Sequence, residues 1–217
     1  MVLISFDIGI KNLAYCVLSD NSNIMDWKIL NISCDELCEY ISSKGTKCNS
    51  SGKYNINELC ICNTHSKLKL YLNEKKKKIK TKDTIFNIGK KMISLLDQEF
   101  ENLQYDLVLI ENQPSLKNPH MKSIQMVLYS YFLINSNAKI EMVNASNKLK
   151  VYKGPPVICP YEKNKKNKYK INKYLSIEYT NIMIENEDNK YIELFNSSNK
   201  KDDLADSYLQ GIYWINK

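Results

Sequence analysis

The sequence predicts an α/β fold with a mixed five-stranded sheet flanked by helices, and three observations carry that prediction. Three short β-rich runs separated by brief turns open the chain. A strand, helix, strand succession with helical ends follows. Between the two parts lies a stretch rich in cysteine and lysine, which reads as an insertion after the third strand. The 217 residues, 43% hydrophobic and 25% charged, suffice for one core. The expected organisation is one domain over 1–217 with an insertion at 34–82.

The opening runs are Val2 to Phe6, Leu13 to Leu18 and Ile24 to Ile32, separated by Gly9, Asn12 and "SDNSN". Links this short favour an antiparallel meander. Residues 34–82 change character to cysteines, Ser/Asn/Gly and then "EKKKKIKTK", an insertion or mobile loop rather than core. From Thr84 the period becomes helical, with Ile85, Ile88, Met92, Leu96, Phe100 and Leu103 as the stripe and Asp83 or Thr84 available as N-cap. "YDLVLIENQPS" is a short apolar strand ending in Glu111, as a strand buried on both faces would be. "NPHMKSIQMVLYSYFLIN" is a second helix, "KIEMVNAS" a further strand, and "KDDLADSYLQGIYW" the closing helix.

Charge narrows the function classes. The net charge is +7, and every basic residue is Lys, with no Arg anywhere. The excess suggests a polyanionic partner, and ammonium groups suit phosphates better than they suit the bidentate reading of bases. Lys148, Lys150, Lys168, Lys170 and Lys173 belong to a run from 148 to 173 whose only acid is Glu162. They are candidate DNA contacts, although such a run also serves as a plain solvated face. No apolar run approaches a membrane span, and "MVLISFDIG" lacks a basic leader region, so a soluble intracellular protein is expected.

Four acids fall where strands end or a helix begins: Asp7 after "VLISF", Glu111 after "LVLI", and Asp203 and Asp206 on the last helix. Strand ends are where ligand sites gather in open α/β sheets. On the helix, Asp203 and Asp206 are roughly 60° apart and Asp202 and Asp206 roughly 40°, so either pair could chelate. Hard carboxylate oxygens of this kind suit Mg²⁺ and phosphodiester hydrolysis. Taken singly, Asp7 could be a turn residue and Asp202 or Asp203 a helix cap. Glu111, at the end of an apolar strand, needs a partner.

The segments "ISFDIGIKNLAYCVL", "LVLIENQPS", "ASNKLKVYKG", "NKYKINKYLSIEYT" and "KKDDLADSYLQGIYW", in that order, resemble the poxvirus-type Holliday junction resolvases of large DNA viruses. That group is similar to the RuvC resolvases within the ribonuclease H-like superfamily. The resemblance implies that Asp7, Glu111, Asp203 and Asp206 bind two Mg²⁺ ions, or Mn²⁺, with Asp202 a neighbour. It also implies a homodimer that nicks four-way DNA junctions symmetrically and resolves branched or concatemeric replication intermediates. The matching site of action would be wherever viral DNA is replicated in the host cell.

Five of the seven cysteines crowd into residues 34–62. Cys38, Cys48, Cys62 and His65 have the look of a Cys₃His zinc site, with Cys34 and Cys60 as rival ligands and metal-free thiols as the alternative. Two other functions compete with the nuclease. "FDIGIKNLAY" also resembles the phosphate-binding hairpin of actin-like phosphotransferases, but the chain is short for their duplicated domains. A noncatalytic junction-binding module would be expected to lack one of the four acids.

Overall fold

The computed structural model describes residues 1–217 except Lys117, Glu162 and Lys165. The chain forms two compact units, 1–32 with 92–217, and 33–91.

The larger unit is built on strands β1 (Val2–Ile8), β2 (Asn12–Ser19) and β3 (Ile24–Asn31). Gly9 makes the first turn: its N–H donates to Asn12 O at 2.8 Å, and a Cβ there would lie 2.8 Å from the same oxygen. The three strands are antiparallel neighbours, as the short links predict. The other half of the sheet comes after residues 33–91.

The smaller unit contains β4 (Tyr54–Ile56), β5 (Leu59–Ile61) and β6 (Lys77–Lys78), in the order β5-β4-β6. Asn57 and Glu58 turn the β4–β5 hairpin with φ of 51° and 67°, the left-handed pair that a two-residue hairpin of this twist requires. A small core of Cys38, Ile56, Ile61, Cys62 and Tyr71 fills it. The stretch expected to be an insertion or mobile loop therefore has a core of its own, in which cysteines take places that aliphatic residues hold elsewhere.

Helix α1 (Ile85–Phe100) begins in the smaller unit and continues into the larger. Thr84 is its cap, accepting the Asn87 N–H at 3.2 Å, because Asp83 is engaged with Ser33 and Cys34. After it come β7 (Leu107–Glu111), α2 (Pro119–Asn135) and β8 (Lys139–Val143). Asn118 caps α2, with Pro119 at its first position. Strands β7 and β8 run parallel to β1 and close the order β3-β2-β1-β7-β8. The mixed five-stranded sheet of the sequence prediction is thus present. Helices α3 (Lys168–Met183), α4 (Asn189–Ser197) and α5 (Lys201–Ile215) complete the chain.

Strand parity positions the site. Along β1, Ile4 and Phe6 point to one face, where Phe6, Phe100, Phe132 and Tyr15 make an aromatic cluster. Leu3 lies on the other, in the core with Leu107, Leu109, Leu204 and Leu209. Alternation sends Asp7 and Glu111 to that second face, the side α5 covers. The β1–β7 register pairs Phe6 with Ile110, so Asp7 and Glu111 are the next residues of two adjacent parallel strands.

Helix α5 comes close enough to reach them because Gly211 carries no side chain. A Cβ at Gly211 would meet Leu18 Cδ1 at 2.5 Å, and Leu3 Cδ1 and Ser5 Cβ at 3.3 Å. Beside it Gln210 Nε2 donates to Ser5 Oγ and Phe6 O, both at 3.1 Å. Gly211→Val should destabilise the protein by about 1–3 kcal/mol, the usual cost of overpacking. Urea melts of both proteins test this, and an unchanged midpoint would contradict the close approach.

Candidate active site and metal cluster

Asp7, Glu111, Asp203 and Asp206 line one cleft of about 380 Å³, together with Asp202, Lys148, Lys173 and Tyr169. At its floor stands the Lys148 ammonium. Its Nζ lies 3.0 Å from Asp7 Oδ1 and 3.0 Å from Asp206 Oδ2, and it forms a still closer ion pair with Glu111 Oε2. Lys148 sits in a 3₁₀ segment, Ala145–Val151, that follows β8. Asn144 caps that segment by accepting the Ser146 N–H at 2.9 Å.

This arrangement gives Glu111 the partner its place at the end of an apolar strand calls for, and it departs from a solvated lysine face in that Lys148 is not an open surface lysine. It is 5% exposed and ringed by three acids at the cleft floor. The other four lysines of that group are exposed. Lys150 donates to Asn147 Oδ1 at 2.8 Å, and Lys173 pairs with Asp202 at 2.7 Å. Lys168 and Lys170 belong to the first turn of α3. Glu162 and Lys165, in the same run, lie outside the described residues.

The α5 acids are not helix caps. Lys200 occupies the cap position and makes no side-chain cap bond. Asp202 turns to Lys173, Asp206 to Lys148, and Asp203 accepts a long 3.4 Å bond from Asn12 Nδ2. Asp202 thus has an ammonium partner of its own outside the Lys148 group. Glu111 Oε1 accepts from Gln113 Nε2 at 3.0 Å, which orients the carboxylate. Its Oε2 is buried against the Lys148 ammonium. Sequence reasoning singled out neither Asn12 nor Gln113 as a support: Gln113 stands in "ENQ", two places after the acid it orients, whereas Asn12, in "DIGIKN", bonds Asp203 from 191 residues away.

The electrostatics are those of a site short of positive charge. Burial pushes the Asp7 carboxyl up to about 6; the Lys148 ammonium opposes the rise and Glu111 adds to it. Burial also pushes Asp203 up to about 6, helped by Asp202 and Asp7, and raises Asp206 against the pull of Lys148. Burial alone would lower the pKa of Lys148, but Asp7, Asp206 and Glu111 outweigh it and hold the ammonium above the ordinary lysine range. Several buried hard oxygens gathered around one point form a donor set that fits a hard divalent cation.

The tyrosines of the basic run divide. Tyr152 stacks on Tyr179 at 4.2 Å and Tyr161 packs edge-on to Tyr174, whereas Tyr169 is 75% exposed at the cleft.

In the smaller unit, Cys38, Cys48, Cys62 and His65 bring their ligand atoms within 4.8 Å of one another. His65 Nδ1 lies 3.5 Å from Cys38 Sγ and 3.4 Å from Cys62 Sγ. A tetrahedral site with ordinary zinc bond lengths has S···N edges of about 3.5 Å. Backbone N–H groups of Cys62, Ser50 and His65 point at the sulfurs of Cys38, Cys48 and Cys62, as around metal thiolates. Tyr40 lies against the His65 ring at 4.0 Å. These four side chains could hold a metal; Cys34 and Cys60 are not among them.

With this geometry in view, the likeness to known proteins is informative. Over residues 3–115 the sequence matches the family described as mitochondrial resolvase Ydc2 / RNA splicing MRS1. A protein of Acanthamoeba polyphaga mimivirus, uncharacterized protein L451, is 31% identical over 313 aligned positions, which take in 99% of this chain and 74% of that one. The chain belongs to the Ydc2-type resolvase family. Within the solved structures, this Ydc2-type chain is similar to the Fowlpox virus resolvase crystallised with Holliday junction DNA (TM-score 0.54, 18% identity, 100% of this chain and 97% of that one). It is also similar to the yeast mitochondrial Holliday junction resolvase Ydc2 (TM-score 0.51, 14% identity, 98% and 78%). At these identities the likeness is one of fold. The family description joins a resolvase with an RNA-splicing protein, so for a Ydc2-type chain the site has to distinguish them. Among the described residues no helix is long and apolar enough to cross a membrane.

The raised carboxyls have a measurable consequence. A group whose pKa is raised from about 3.8 to about 6 on folding binds more protons folded than unfolded, so its contribution falls as pH rises through that window. In metal-free protein, the stability of Asp7→Asn relative to wild type should therefore improve between pH 4 and pH 6.5, by up to roughly 3 kcal/mol. Denaturant titrations at several pH values test this. A pH-independent difference would contradict the placement of Asp7.

Proposed function

We propose that this chain is a metal-dependent endodeoxyribonuclease that resolves four-way DNA junctions by paired symmetric nicks. The observation that carries the proposal is the convergence of Asp7, Glu111 and Asp206 on one cleft floor, with Asp203 on its wall. A noncatalytic binding protein, or the RNA-splicing branch of the family description, has no need of four acids held together against their mutual repulsion. An actin-like phosphotransferase is disfavoured because the sheet of the larger unit occurs once.

Asp7, Glu111, Asp203 and Asp206 would hold Mg²⁺ or Mn²⁺, which when bound supplies activation of the attacking water and stabilisation of the leaving 3′ oxygen. Gln113 fixes the Glu111 carboxylate, and Asn12 steadies Asp203. The Lys148 ammonium offsets part of the acids' charge and faces the same floor, where it can meet a phosphate oxygen. Lys150, Lys168, Lys170 and Lys173, on the segments beside the cleft, would hold the DNA backbone. Tyr169 could stack on an unpaired base at the crossover. A four-way junction has two symmetric scission points and each chain one cleft, so paired nicking calls for a homodimer. The relative from a mimivirus and the Fowlpox virus enzyme, crystallised with Holliday junction DNA, support a role on branched or concatemeric intermediates where viral DNA is replicated.

In the smaller unit the metal would be zinc, held structurally by three thiolates and His65. Burial pushes the Cys38 thiol up to about 11, so loading should release protons.

Incubating a labelled four-way junction and a linear duplex with and without Mg²⁺ tests the nuclease. Selective, Mg²⁺-dependent nicks in opposed strands are expected, and Asp206→Asn should lower the rate at least about 1,000-fold while junction binding survives. Full nicking by that variant would refute the assignment. Native mass spectrometry should find close to one zinc per chain, lost in Cys62→Ser; a metal-free chain of unchanged stability would exclude the structural role.

A further inference from the structure

The net charge of the protein resides in its smaller unit. Residues 33–91 contain thirteen lysines and six carboxylates, a net +7. The larger unit, with eighteen of each, is neutral. A larger unit with no net charge offers a polyanion only its local lysine surface, so most of the long-range attraction comes from the smaller unit.

The acids of the smaller unit are mostly engaged with its own chain. Asp35 accepts from Thr81 Oγ1 and Lys82 N, Glu36 pairs with Lys82, Glu39 accepts the Cys60 N–H, and Asp83 accepts from Ser33 and Cys34. Among the described residues, Lys75, Lys77, Lys78 and Lys80 have no carboxylate partner.

Nor is this run a loose tail. Lys76 Nζ donates to Ser66 O at 2.6 Å, β6 pairs with β4, and Ile79 N donates to Lys53 O at 2.9 Å. Lys77 and Lys78 form the two-residue edge strand β6, and Lys75 and Lys80 flank it, so four ammonium groups without carboxylate partners among the described residues fall within six consecutive positions of a backbone held at both ends.

We infer that the segment carrying Lys75, Lys77, Lys78 and Lys80, centred on edge strand β6, is a second DNA-binding surface, which grips the phosphate backbone of a duplex arm without reading sequence. This rests on the junction-nuclease reading and adds to it a contact in the smaller unit, outside the carboxylate cleft. The chemistry favours backbone over bases, since ammonium groups and no guanidinium are present.

The test uses the full chain carrying Asp206→Asn, without Mg²⁺, and measures equilibrium binding to a four-way junction and a linear duplex from 50 to 300 mM salt. Replacing Lys75, Lys77, Lys78 and Lys80 with Gln should weaken binding to both at least tenfold near 150 mM. It should also flatten the salt slope by roughly 3 to 4, about 0.9 per phosphate contact. Arg at the same four positions should restore both. Zinc content and melting temperature of the Gln variant should match the parent, which separates lost contacts from lost structure. An unchanged slope and affinity, with the parent binding normally, would overturn the inference and leave the nuclease reading intact. Restriction of the loss to anionic vesicles, with DNA binding unaltered, would overturn it in favour of a membrane surface. A parent chain that bound neither DNA would overturn both.

Discussion

One buried ammonium organises the carboxylate face of the sheet. Asp7, Glu111 and Asp206 come from two strands and a helix, and nothing in β1, β7 or α5 alone would make three carboxylates tolerate one another at a few ångströms. Lys148 allows it, and the acids in turn allow a lysine to be almost fully buried. Such a network is weak as a source of stability, because desolvation of each charge offsets the attraction. Its value is positional: the acids are held in reach of one point before any cation or phosphate arrives. The same geometry sets the carboxyls Asp7 and Asp203 near 6, so modest changes in surrounding charge decide whether they are ionised.

The frame that delivers these groups is simple. Period-two alternation aims Asp7 and Glu111 at one face, the parallel register of β1 and β7 sets them side by side, and Gly211 with Gln210 brings α5 down onto β1. A shift of one residue in either strand would turn its acid toward the face of the aromatic cluster around Phe6, away from Lys148.

Much of this was legible in the sequence. The meander, both apolar strands, α1, α2 and α5 announce themselves by period, and strand-end acids are conspicuous after "VLISF" and "LVLI". Lys148 was not legible in its true place. It follows Asp7 by 141 residues and sits in a lysine-rich stretch that looks like solvated surface, so only the folded chain reveals that it turns inward. Helices α3 and α4 also escape pattern reading: α3 buries Ser176 and Thr180 where an apolar stripe would be sought, and α4 shows only Tyr191 and Phe195. The small sheet is hidden because strands of two or three residues cannot display a period. Its four-residue metal cluster, by contrast, was readable from spacing, with the choice against Cys34 and Cys60 left to the fold.

The ends of the insertion are tied together. Lys91 Nζ donates to Ser33 O at 2.6 Å and Asp83 accepts the Cys34 N–H at 2.5 Å, so 59 residues leave and re-enter at nearly the same point. This bears on how the chain folds. To pair Leu3 with Leu107, an unfolded chain must close a loop that contains the whole insertion, whereas a chain with its insertion already folded closes one less than half as long. The difference is about 0.7 kcal/mol of chain entropy. An insertion that folds first would thereby act as a clip, quickening the search of β1 for β7 by about threefold.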